Sequence, residues 1–148
     1  MNDLAVRRAK TTDAARIAEL SGTLGYPVKA DAMRARLERL LGRDEHVVFV
    51  AETTEIVGWT HAAEQEILVV AGRCEIWGLV VAEGQRGRGV GRRLVEAVEQ
   101  WALSRGLSEV SLRSNVIRPE SHPFYKRLGY SRFKTQHAYR KHLDSQDS

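Results

Sequence analysis

A chain of 148 residues is long enough for one domain with a real apolar core and needs no covalent staple. Its 43% hydrophobic and 28% charged residues exclude a disordered or fibrous class, and no apolar run approaches the ~18 residues of a membrane span. The lone Cys74 excludes an internal disulfide and a cysteine-rich zinc site, while a net charge of +4 is scattered over several short basic stretches.

The opening "MNDLAVRRAKTTD" has no apolar segment of the signal-peptide kind, so a cytoplasmic setting is expected. "LAVRRAK" (4–10) alternates as a strand does. "TTDAARIAELSGTL" reads as a helix with Thr12 as N-cap and Ile17, Leu20 and Leu24 on one face. After the break "GYP", "ADAMRARLERLLG" predicts a second amphipathic helix that turns Met33, Leu37, Leu40 and Leu41 inward and stops at Gly42. "HVVFVAE" (46–52) and "IVGWTHAAEQEIL" (56–68) predict strands joined by a short turn. "CEIWGLVVAE" (74–83) is apolar enough to lie mid-sheet. Val90, Leu94, Val98 and Ala102 then recur every four residues in a helix that ends at Gly106. A strand (108–114), a short helix (118–129) and an extended C-terminal segment follow. The order β-α-α-β-β-β-α-β-α-β, with a crossover between residues 74 and 114 that demands a parallel pair, predicts a mixed α/β sheet domain over residues 1–148. Its core is expected over about 4–143, with a frayed tail at 144–148.

Between the fourth predicted strand and its helix stands "QRGRGVGRR". A helix N-terminus exposes unpaired N–H groups, glycine admits close approach to the backbone, and arginine bonds phosphate. Gly87, Gly89 and Gly91, among Arg86, Arg88, Arg92 and Arg93, therefore predict a diphosphate cradle. A P-loop is excluded because no Lys-Ser or Lys-Thr follows a glycine. A dinucleotide fingerprint started at Gly87 would place its third glycine at Arg92, and Glu109 begins rather than ends the next strand. No aromatic-basic alternation accompanies the arginines, so nucleic acid is not the expected partner.

"RGRGVG" fits R/Q-x-x-G-x-G/A, and with "HPFYKRLGY" (122–130) it resembles the acyl-CoA loop and second signature of the GCN5-related N-acetyltransferases, the GNAT superfamily. The resemblance covers residues 4–143. It implies a central sheet of six to seven strands flanked by about four helices, with strands 74–82 and 108–114 splayed apart to admit pantetheine. Acetyl-CoA is the implied co-substrate, with no metal, no nucleic acid and no membrane partner. A small-molecule or peptide amine is the implied acceptor, and a homodimer is a possible assembly.

The same resemblance assigns the cofactor contacts to Leu79, Val80 and Val81 on the strand. The loop contacts are Arg86, Gly87, Arg88, Gly89, Val90, Gly91 and Arg92. Tyr125 is an implied cofactor contact and takes the family's general-acid position, where a phenol, protonated at pH 7, can donate to the leaving thiolate. Glu75 is the expected base. Its parity matches Trp77, Leu79 and Val81, which places it on their sheet face if the strand is regular. His61 is the other candidate base. Relatives often carry Asn seven residues before the acid tyrosine; here that residue is Arg118, a second possible cofactor contact. Tyr26, Trp59, His61 and Trp77 are expected around the acceptor, and the acidic "EQE" (64–66) could attract a cationic amine. A catalytically silent acyl-CoA-binding or sensor module is the alternative function.

Overall fold

The computed structural model describes residues 3–23, 25–85, 87–113 and 121–143. They form two compact units, divided after Arg113.

The first unit carries a five-stranded sheet in the order β1 (Ala5–Arg8), β2 (His46–Glu52), β3 (Ile56–Ile67), β4 (Val70–Val81), β5 (Val110–Leu112). The first three pairings are antiparallel, and β4 and β5 are parallel. Parallel neighbours require a crossover, and α3 (Val90–Ser104) supplies it. Val90, Leu94, Val98 and Ala102 are all buried, as their four-residue spacing predicts. Gly58 lies beneath this helix: a Cβ there would sit 2.9 Å from the Val80 carbonyl, 3.0 Å from Val90 and 3.1 Å from Leu94. Helices α1 (Ala14–Thr23) and α2 (Ala30–Leu41) cover the opposite face, where Ile17, Leu20 and Leu37 join Val48, Val50 and Val80 in the core.

Helix α1 begins differently from the sequence expectation. A 3-10 turn, Thr11–Asp13, precedes it with Lys10 at the cap position. Asp13 accepts the Lys10 amide at 2.8 Å and two bonds from the Arg7 guanidinium at 2.9 and 3.1 Å. A carboxylate satisfies the exposed amides and answers an arginine at once, which the Thr12 hydroxyl could not. Helix α2 stops at Gly42 as predicted.

The second unit contains α4 (Ser121–Arg127), closed by Gly129 at φ +94° with the Tyr130 amide donating to Tyr125 O at 3.0 Å. The expected extended strand after it is absent. Residues 131–143 have no regular structure and are exposed throughout, with only Phe133, Ala138, Tyr139 and Leu143 apolar. Such a stretch offers too little surface to offset the entropy of ordering a strand. The sheet therefore has five strands among the described residues, not six or seven.

Candidate active site

Strand β4 organises the first unit's candidate site through two irregularities. Its pairing with β5 covers only Cys74↔Val110, Glu75↔Ser111 and Ile76↔Leu112. Beyond Ile76, the β5 side of β4 has no strand partner among the described residues. The second irregularity is a bulge: His61 opposes Gly78 while Ala62 opposes Ile76, so Trp77 is an extra residue in β4.

The hydrogen bonds fix which way each residue faces. The Ala82 amide donates to Val57 O, and the Cys74 amide donates to Glu109 O. By the alternation of a ladder, the backbones of Gly78, Val80 and Ala82 turn toward β3, and those of Leu79 and Val81 turn toward the unpaired side. An extended, amide-bearing ligand could add there as a strand does. Val80 offers no such edge: its backbone serves β3 and its side chain is buried in the core.

The cradle continues the same edge. Gly84, Gly87 and Gly89 have φ values of +84°, +80° and +82°, a region costly for residues with a Cβ, and a Cβ on any of them would point into open space. Gly89 is the N-cap of α3 and makes no side-chain cap bond, which leaves the first-turn amides of Val90, Gly91 and Arg92 available to an anion. Val90 and Gly91 are buried, whereas Arg88 and Arg92 are exposed, with Arg92 3.8 Å from Glu96. Arg86 and Arg118 lie outside the described residues.

Glu75 lies elsewhere than its parity suggests. The bulge reverses the alternation between Glu75 and Leu79, so Glu75 shares a face with its partner Ala63 and with His61, Gly78, Trp59 and Val80. That is the α1–α2 face; Leu79 and Val81 point to the α3 face. Glu75 is 1% exposed. Its Oε1 accepts from the Ser111 hydroxyl at 2.7 Å and lies 3.8 Å from Arg73. Its Oε2 is 3.4 Å from Arg113 Nε yet accepts no hydrogen bond. Trp59 Nε1 is likewise buried without a partner. These two groups are the only such side-chain atoms among the described residues, and both are on strands of this one face. Buried polar atoms are rarely left without a hydrogen bond, so a polar ligand on this face would meet one free donor and one acceptor whose present contact is the ion pair with Arg113. Gly78 keeps the floor low: a Cβ would come within 2.9 Å of the Trp59 ring.

His61 points to the same face and pairs with His46, Nε2 to Nδ1 at 3.0 Å, the rings 5.2 Å apart and 20° from parallel. Burial, then the neighbouring His46, push the His61 imidazole down to about 4. Cys74 is buried, and burial with Glu75 and Glu64 nearby pushes its thiol up to about 12, too high for a nucleophile. Trp77 is 49% exposed, with the Arg113 guanidinium 6.0 Å from its ring centre. Tyr26 is exposed just past α1, its amide bonded to Ser21 O. Glu64 is held by Arg105 at 2.9 Å, so it is not a free acceptor anchor. In the second unit, Tyr125 is half-buried with its ring edge-on to Phe124 and Tyr130. His46, Ser111, Arg73 and Arg113 escape the sequence reading, because only strand register reveals which residues flank Glu75 and His61.

The family model described as the acetyltransferase (GNAT) family matches residues 14–130. A protein named as an uncharacterized N-acetyltransferase of Chlorobaculum tepidum is 28% identical over 138 residues, 91% of this chain and 80% of that one. Glucosamine 6-phosphate N-acetyltransferase 1 of Oryza sativa subsp. japonica is 35% identical over 112 residues, 70% of this chain and 65% of that enzyme. Among solved structures, an aminoglycoside N-acetyltransferase in complex with CoA superposes with a TM-score of 0.86 at 22% identity, covering 97% of each chain.

Proposed function

Because the chain belongs to the acetyltransferase (GNAT) family, we propose that it moves the acetyl group of acetyl-CoA to a primary amine of a small molecule or peptide, directly and within a ternary complex. The single observation that carries this reading is the two-sided use of β4. One edge of the strand is open among the described residues and runs into an uncapped helix N-terminus, while a buried carboxylate, one oxygen of which accepts no hydrogen bond, stands on the face beside it.

The open edge and the cradle fit an acyl-CoA. The backbone groups of Leu79 and Val81 bond the pantetheine amides, and the amides of residues 87–92 hold the pyrophosphate, with Arg88 free to neutralise a phosphate. The thioester supplies an acyl carbon open to attack by a neutral amine. On the other side of the strand, Trp59, His61, Gly78 and Trp77 border the acceptor, and Glu75 takes up the ammonium proton through an intervening water. Tyr125 donates to the departing thiolate. Relatives named for glucosamine 6-phosphate and for aminoglycosides support an amine on a small polar molecule as acceptor.

Calorimetric titration with acetyl-CoA, followed by thiol release with glucosamine 6-phosphate, sisomicin, spermidine and a lysine-containing peptide, tests the reading. Saturable binding with turnover on at least one amine is expected. Binding without turnover on any amine would instead indicate an acyl-CoA sensor, and no binding at millimolar acetyl-CoA would end both. Tyr125→Phe should lower kcat at least roughly ten-fold with acetyl-CoA affinity unchanged; an unaltered rate would remove the phenol from the acid role.

A further inference from the structure

We propose that His61 and His46 form the route by which the proton released in each turnover leaves buried Glu75 for bulk water. The assignment rests on the acetyl-transfer reading above. In that reaction the N–C bond forms and the C–S bond breaks. An ammonium and a thioester become an amide and a thiol, and the nitrogen loses two protons. One proton goes to the thiolate sulfur. The other must reach solvent, and at 1% exposure Glu75 cannot hand it over directly.

The sheet register supplies the path. His46, Ala63, Glu75 and Ser111 lie opposite one another in a single row across β2, β3, β4 and β5, all on the α1–α2 face. Ala63 contributes only a methyl group, which leaves the row low between the carboxylate and His46. His61 is two residues from Ala63 on the same face and is thus the diagonal neighbour of Glu75, about 7–8 Å away between backbone positions, and the first step of the relay runs through a water between the two side chains. From His61 the path is direct, since its Nε2 and His46 Nδ1 are 3.0 Å apart. His46 is only half-buried and opens the path to solvent.

The proton bookkeeping closes without another reactant. A proton enters at His61 Nδ1, the proton on His61 Nε2 passes to His46 Nδ1, and the proton on His46 Nε2 goes to water. Each ring ends neutral in its other tautomer and resets by exchange with water. The surroundings suit transfer rather than storage. The charged groups on β4 that share this face are Glu75 and Arg73, β2 contributes His46, and Arg113, just past β5, stands 3.4 Å from Glu75 Oε2. The buried residues of α1 and α2 are Ala14, Ile17, Ala18, Leu20, Ser21 and Leu37, none of them ionisable. His61, held down to about 4, does not retain a proton at neutral pH.

The test uses the whole chain with acetyl-CoA and whichever of the four amines above gives the fastest thiol release, at fixed pH with increasing imidazole buffer. His46→Gln keeps a hydrogen-bonding group toward His61 but cannot pass a proton. Its kcat should fall at least roughly ten-fold with the KM for acetyl-CoA unchanged, and tens of millimolar imidazole should restore it, whereas the wild-type rate should ignore buffer concentration. An undiminished kcat, or a loss that imidazole does not repair, overturns the relay. Nitrogen-15 NMR of the imidazoles is independent of turnover: His61 should remain neutral at pH 5.5, and titration near 6.5 would overturn the pair. If the wild type acetylates none of the amines while NMR still shows the neutral pair, the acetyl-transfer reading is what has failed, and the relay falls with it.

Discussion

Glu75 shows how far a residue's identity and its placement can part company. Resemblance to the family names this carboxylate, but its surroundings come from strands more than 30 residues distant in sequence: Ser111 at 2.7 Å, and the Arg113 side chain beside Oε2. Glu75→Gln keeps the shape and the Ser111 contact while removing the proton acceptor. We expect kcat to fall by roughly a hundred-fold with acetyl-CoA affinity unchanged, measured by thiol release and calorimetry; a rate within two-fold of wild type would exclude the base role. Its neighbour makes the contrast. Cys74 is fully buried with its thiol pushed up to about 12, so iodoacetamide should leave the native protein unmodified at pH 8 and label it only in denaturant, as mass spectrometry would read. The sequence already excludes a disulfide for Cys74. The waiting Trp59 Nε1 and the His46–His61 contact are invisible in it, because both depend on cross-strand register.

At the scale of elements, the helix periods and the glycine-rich turn before α3 are legible because they are local. Val90, Leu94, Val98 and Ala102 occupy the core as their spacing demands, and "HVVFVAE" and "IVGWTHAAEQEI" form strands β2 and β3. The bulge is not legible. Nothing in "CEIWGLVV" distinguishes a regular strand from one with an extra residue at Trp77, and the face assigned to Glu75 reverses with it. The last expected strand fails for another reason, since basic and polar residues there leave little apolar surface to bury. Close packing gives its own prediction. Gly58→Ala would push a methyl group into the Val80 carbonyl and two α3 side chains, all within 3.1 Å. Urea denaturation should show a loss of about 1–3 kcal/mol with an unchanged m value; a variant as stable as wild type would mean that α3 can lift off the sheet without cost.

For the molecule as a whole, two groups give stability a pH dependence in separate windows. His61 titrates lower in the folded chain than the usual 6.5, so between 6.5 and about 4 the unfolded state binds a proton that the native state refuses, and stability drops as pH falls through that window. Asp13 acts below it. Hydrogen bonding to Arg7 holds its carboxyl below the usual 3.8, so its contribution is complete above that value and is lost as the pH falls further. Urea midpoints from pH 7 to pH 2.5 should decline in two stages. His61→Gln should flatten the upper stage and Asp13→Asn the lower, and a wild-type curve level from pH 7 to pH 4 would refute the first. The extra residue at Trp77 also bears on how the protein could change. Under the proposed function, it separates β4 into a stretch whose backbone binds one reactant and a stretch whose side chains meet the other. A library varied at positions 59 and 77 could therefore drift from one amine to another while acetyl-CoA binds as before, and new acceptors would arise without relearning the donor.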